Sequence, residues 1–152
     1  MIKNVFDASV ASELRERINK LTPESSAQWG TMTVSQMLAH CNVTYELVYE
    51  ENKHPKPGMF MKFILKTIVK PTVTGEKPYK QSLRTAPAFI IKDDKDFTTE
   101  KDRLISHINT TQQLGEAHFD GKESHSFGVL NKKEWNTMFY KHLDHHLRQF
   151  GV

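Results

Sequence analysis

Residues 142–150 read His-Leu-Asp-His-His-Leu-Arg-Gln-Phe, which places three of the eight histidines of this chain within five positions. On an α-helix, residues four apart lie one above the other on the same face. His142 and His146 therefore present two imidazoles to one point, and a pair of neutral ring nitrogens is a fragment of a divalent-metal site. The competing reading is a hydrogen-bonded pair near a frayed helix end. His145 stands at the edge of the same face, as a supporting or surface group.

A catalytic metal takes three protein ligands and keeps one position open, so a third donor is expected from a facing helix. His40 is the candidate. It lies within Met37-Leu38-Ala39-His40-Cys41, among apolar neighbours, where an unpartnered polar ring would be costly. Cys41 points about 100° away around the helix and reads as a small buried hydrophobe, because a reactive thiolate needs an activating neighbour. His54, His107, His118 and His125 have no helical partner at ligand spacing. They are expected at the surface, with His125, close to Phe127 and Gly128, able to reach the mouth of a pocket. The last helix lacks the glutamate of a His-Glu-x-x-His protease. No nucleophilic-serine motif, phosphate-binding glycine loop or dinucleotide fingerprint occurs.

Helices must position these groups. Asp7 can cap a first helix carrying Val10, Leu14, Ile18 and Leu21 at intervals of three and four. Thr22-Pro23-Glu24 looks like a second start, with proline at the first helical position, ended by Trp29-Gly30. Thr33 and Gln36 form a capping box for a helix with the stripe Val34, Met37, Leu38, Cys41, Tyr45 and Val48. It should stop before His54-Pro55-Lys56-Pro57-Gly58.

Between Met59 and Val69 the spacing predicts an amphipathic helix, closed by Pro71. Lys62, Lys66 and Lys70 share one face opposite Phe63, Ile64 and Ile68, and the apolar side is expected to pack on the body or on a partner subunit. Residues 71–97 carry little helical period, with Ala88-Phe89-Ile90-Ile91 as a short strand or buried anchor. A connection this long is expected to cover a site or cross between ends of the molecule. Another helix starts near Thr98 and presents Leu104, Ile105, Ile108 and Leu114 before Gly115. A loop containing Gly121 and Gly128 leads to Asn131, which caps the final helix and its stripe of Trp135, Met138, Phe139, His142, His146 and Gln149. The expected architecture is all-α, a four-helix bundle in one domain spanning 1–152, with residues 53–97 as an amphipathic segment plus a long loop between the second and third main helices.

With 38% hydrophobic and 26% charged residues, the chain has the composition of a globular protein. A net charge of +3 is too weak a field to argue for a nucleic-acid partner. The longest apolar run is interrupted by lysines and too short to span a bilayer. Its lysine face could lie on a membrane surface, but membrane contact is not the favoured reading. The single cysteine excludes an internal disulfide and suits a reducing compartment. The first residues lack the apolar run of a signal peptide, so a cytoplasmic location is expected.

Met32-Thr-Val-Ser-Gln-Met-Leu-Ala-His-Cys41 and Glu134-Trp135, followed by His142-Leu-Asp-His-His-Leu-Arg-Gln149, resemble a branch of the DinB/YfiT-like superfamily that has no known function. The similarity covers nearly the whole chain, and its two histidine phrases are the specific part. The resemblance implies a four-helix bundle with a long crossover between its second and third helices, and a homodimer. It matches His40, His142 and His146 to the first, second and third metal ligands. It further implies zinc, nickel or another divalent ion as cofactor, a low-molecular-weight thiol, and metal-dependent transfer or isomerisation of a small-molecule substrate. The segment 53–97 departs from the family pattern. Its Lys77, Lys80 and Arg84 could meet carboxylates of a peptide-like thiol or form a solvated loop. Two other functions stay open: a non-catalytic bundle whose histidines only fasten helices, and an interaction module using residues 59–69.

Overall fold

In a computed structural model, residues 1–50, 52–82 and 85–152 are described. The protein is mostly helical, with one small two-stranded sheet. Helix α1 (Ala8–Asn19) starts after Asp7, whose side chain makes no capping bond and instead accepts from Asn4 Nδ2 at 3.0 Å. The second start expected at Thr22 is a turn. Ser25 Oγ accepts from Thr22 N at 3.0 Å, a local side-chain bond that competes with helix formation. Helix α2 (Val34–Tyr49) opens on the full capping box, Gln36 N donating to Thr33 Oγ1 at 3.2 Å and Thr33 N to Gln36 Oε1 at 3.0 Å.

Helix α3 (Met59–Ile64) runs into a π turn (Leu65–Val69), where Lys70 N donates to Leu65 O. Helix α4 (Lys70–Thr74) continues directly, so Pro71 does not close the segment. Proline sits in the first turn of α4, where its missing N–H is tolerated, and the wider π turn precedes it. No strand forms at 88–91. Pro87–Phe89 make a 3₁₀ turn whose last carbonyl proves important below.

Helix α5 (Phe97–Phe119) is capped by Asp96, which accepts from Thr99 N at 2.7 Å. Gly115, with φ 72°, breaks the helical geometry, yet a further turn brings Phe119 into the core. The expected loop after it contains strands β1 (Lys122–Ser124) and β2 (Gly128–Leu130), antiparallel with Lys122 opposite Leu130. Helix α6 (Lys132–Gln149) begins on a second capping box, between Asn131 and Glu134.

Helix α5 packs on α1 and α2, and α6 packs on α2 and α5. Leu14 and Ile18 of α1, Met37 and Leu38 of α2, Leu104 and Phe119 of α5, and Trp135, Phe139 and Leu143 of α6 are buried in one cluster. This shared apolar burial is the main stabilising term for the fold. In the 59–74 segment Lys62 pairs with Glu123 and Lys70 with Glu134, both at 2.8 Å. Phe60, Phe63 and Ile68 are 77%, 66% and 67% exposed, so Phe63 and Ile68 do not pack on the body. Among the described residues, no helix is long and apolar enough to cross a membrane.

Candidate metal centre

Helices α2 and α6 bring His40, His142 and His146 together. Their candidate ligand atoms all lie within 4.8 Å of one another. His40 and His146 are buried, and His142 is enclosed by protein but opens on the cavity described below. Ring centroids stand 4.9 Å apart for His40 and His142, 4.5 Å for His40 and His146, and 4.8 Å for His142 and His146.

Each Nδ1 is held by an oxygen. His40 Nδ1 donates to the Phe89 carbonyl at 2.8 Å, His142 Nδ1 meets Thr44 Oγ1 at 3.0 Å, and His146 Nδ1 donates to Gln149 Oε1 at 2.8 Å. The Nε2 atoms are thereby left for the centre. Such partners fix the tautomer and orientation of a ligating histidine.

The contact between His40 Nε2 and His142 Nε2, at 3.0 Å, tests the fit. Two imidazole nitrogens at this distance share one proton. Because a carbonyl only accepts, the proton of His40 is on Nδ1. The shared proton therefore belongs to His142 Nε2, and the Thr44 hydroxyl donates to His142 Nδ1. A divalent ion would replace that proton, returning a hydrogen to His142 Nδ1 and turning Thr44 into an acceptor. Ligand nitrogens about 2.0–2.1 Å from zinc stand roughly 3.3 Å apart, close to the 3.0 Å between His40 Nε2 and His142 Nε2, and all three candidate donors lie within 4.8 Å of one another. The residues present fit a metal ion.

Burial holds all three rings in the neutral form that binds metals. It lowers His40, offset in part by the Phe89 carbonyl. It lowers His142 strongly, helped by the neighbouring His146 and His40. His146 is pushed down to about 3, first by burial and then by His40.

Phe89, Thr44 and Gln149 are the positioning groups that the histidine pattern alone does not reveal. Thr44 and Gln149 do carry a signal, one turn beyond His40 and His146 on the same faces. Gln149 is itself fixed, its Nε2 donating to Trp29 O at 2.6 Å. The backbone turns beside it at Gly30, with φ 81°, where a Cβ would fall 2.7 Å from Gln149 Nε2.

The remaining histidines are dispersed. His145 is half-buried against Trp29 and Tyr79, with its ring 5.0 Å from that of His146. His118 is exposed. His54 and His107, expected at the surface, are partly buried in a polar network beside α2. His54 Nε2 meets Glu46 Oε2 at 2.8 Å, and His107 Nδ1 donates to Asn42 Oδ1 at 3.0 Å. Glu46 also pairs with Lys53 and Arg103, at 2.7 and 2.5 Å. Burial alone would raise the Glu46 pKa, but these partners win and hold it at about 2. Cys41 is buried 3.8 Å from Met37 Sδ, and burial pushes its thiol pKa up.

A cavity of about 640 Å³ opens on the three histidines. Residues of the π turn, α4, the 79–91 crossover, the β1–β2 hairpin, α2 and α6 line it. His125 and Lys80 reach its wall, Lys77 is exposed outside it, and Arg84 lies outside the described residues.

Comparison with curated proteins gave no match, and comparison with solved structures gave none. The family described as Protein of unknown function (DUF1569) matches over residues 6–151, and the chain belongs to that family.

Proposed function

We propose that this protein is a DinB/YfiT-like helical bundle that binds a divalent metal, zinc or nickel, through His40, His142 and His146, and acts as a metal-dependent transferase on a small molecule. The observation that carries the reading is the convergence of three Nε2 atoms whose Nδ1 partners are all oxygens. A bound ion would supply Lewis acidity towards a donor such as a low-molecular-weight thiol. The chain supplies three neutral ligands, which leave the ion its full positive charge, and a cavity that limits water. The helix-fastening alternative lacks a use for that cavity.

Metal analysis of untagged protein tests the reading. About one equivalent of zinc or nickel is expected after gentle purification, and less than about one tenth of an equivalent would sink it. Single changes His40→Ala, His142→Ala and His146→Ala should each abolish binding. Survival of binding in all three would overturn the ligand set.

A second reading, self-association through residues 59–69, is favoured by the exposed side chains of Met59, Phe60, Phe63 and Ile68. Exposed apolar groups gathered on one segment are typical of interaction surfaces. Sedimentation should show a dimer that Phe60→Ser with Phe63→Ser converts to monomer. A monomeric unmodified protein would remove this reading.

A further inference from the structure

The cavity wall states what kind of molecule the centre receives. Several of its polar side chains are already engaged within the protein. Thr44 is used by His142, and the Gln149 amide by His146 and Trp29. Ser124 Oγ donates to Gly128 O at 2.8 Å and accepts from Phe127 N at 2.9 Å. His125 meets Ser126 Oγ at 2.9 Å and donates to His54 O at 3.2 Å.

What remains facing the space is predominantly apolar, chiefly Leu47, Val48, Leu65, Val69, Phe89 and Met138, with uncharged hydroxyls such as those of Tyr79 and Thr72 and the His145 ring between them. Lys80, itself exposed, is the one Lys, Arg, Asp or Glu of the wall among the described residues. A ligand bearing carboxylates would leave them desolvated and unpaired at a cost of several kcal/mol.

We infer that the cavity takes a neutral, predominantly apolar small molecule with one metal-coordinating head group, its tail lying along the face of α2 that carries His40, Thr44 and Val48. The head-group part rests on the metal reading above; the tail part rests on the cavity alone. This places the substrate in a different class from peptide-like thiols. A volume of about 640 Å³ falls within the usual range for small-molecule pockets, roughly 300–1,000 Å³.

Two probe series separate the parts. Acetohydroxamic to octanohydroxamic acid would be titrated into zinc-loaded protein, and 1-butanol to 1-octanol into metal-free protein. Binding is followed by the fluorescence of Trp29 and Trp135, the two tryptophans of the chain, both of which line the cavity. In each series affinity should rise by about fourfold per added methylene, the factor equivalent to about 0.8 kcal/mol. A carboxylate at the far end of the octanohydroxamate chain should cancel that gain.

Val48→Phe should weaken the long hydroxamates and leave acetohydroxamate unchanged, which also reports folding. Leu65→Phe serves if Val48→Phe does not fold. Affinity independent of chain length in both series, or equal binding of carboxylate-ended and methyl-ended chains, overturns the inference. With one equivalent of zinc still bound, that failure leaves the metal reading standing. Conversely, a rising alkanol series on protein that takes up no zinc supports the apolar tail and overturns the metal reading.

Discussion

His40 and Phe89 are joined across 49 positions of sequence by a hydrogen bond from the ring Nδ1 to the main-chain carbonyl at 2.8 Å. Their rings also meet edge to face, with centroids 5.3 Å apart. A backbone acceptor fixes the His40 tautomer whatever side chain occupies position 89. Phe89→Ala should therefore keep the stoichiometry of bound metal while loosening the crossover, seen as faster hydrogen exchange over residues 85–91.

Thr44→Val and Gln149→Leu remove the oxygens that hold His142 and His146. Each should weaken zinc binding by about 10–100-fold while leaving one ion bound. Competition with a chromophoric chelator measures this, and unchanged affinity in both variants would contradict the tautomer assignment. His145→Ala, which removes a ring packed on Trp29 and Tyr79, should leave zinc affinity nearly unchanged.

Glu46 makes stability depend on acidity. Its folded pKa of about 2 lies below the ordinary 4.5, so its contribution is complete above about pH 4.5 and is lost as pH falls through 2. The size is about 3 kcal/mol. Urea unfolding at pH 5 and pH 3 should show a steeper loss for the unmodified protein than for Glu46→Gln, which lacks this titration. Equal slopes would refute the assignment.

Lys141, only 4% exposed, donates to Thr72 O at 2.5 Å, to Lys77 O at 3.2 Å and to Gly75 O. Burial pulls the ammonium pKa down to about 8. At that value the group is still mostly charged at neutral pH, as three carbonyl acceptors require of their donor. Lys141→Met leaves those carbonyls without a donor and should cost about 1–3 kcal/mol. Hydrogen exchange should quicken at 72–77 before it does in α2 and α5.

The histidine cluster was legible because its signals are local: four-residue spacing for His142 and His146, and an apolar setting for His40. The Thr33–Gln36 box was readable for the same reason, since both partners lie within one turn. Other features depend on distant partners or on lengths below any period. Strands of three residues at 122–124 and 128–130 are too short for alternation to register. Pro71 reads as a stop unless the π turn before it is known, and hydrogen-bond register in a helix leaves no compositional trace. Lys62 and Lys70 look solvent-facing until Glu123 and Glu134 are seen opposite them.

Gly30 neither binds nor touches a histidine of the centre, yet its lack of a side chain sets where Gln149 can rest, and Gln149 sets the aim of His146. Even the methyl group of alanine would push the amide away, and the positive φ resists any L side chain there. A random-mutagenesis screen scored on zinc retention would therefore return position 30 alongside the three ligands. Its damage would differ in kind: the metal would still be bound, but more weakly, in a protein whose other helices are undisturbed.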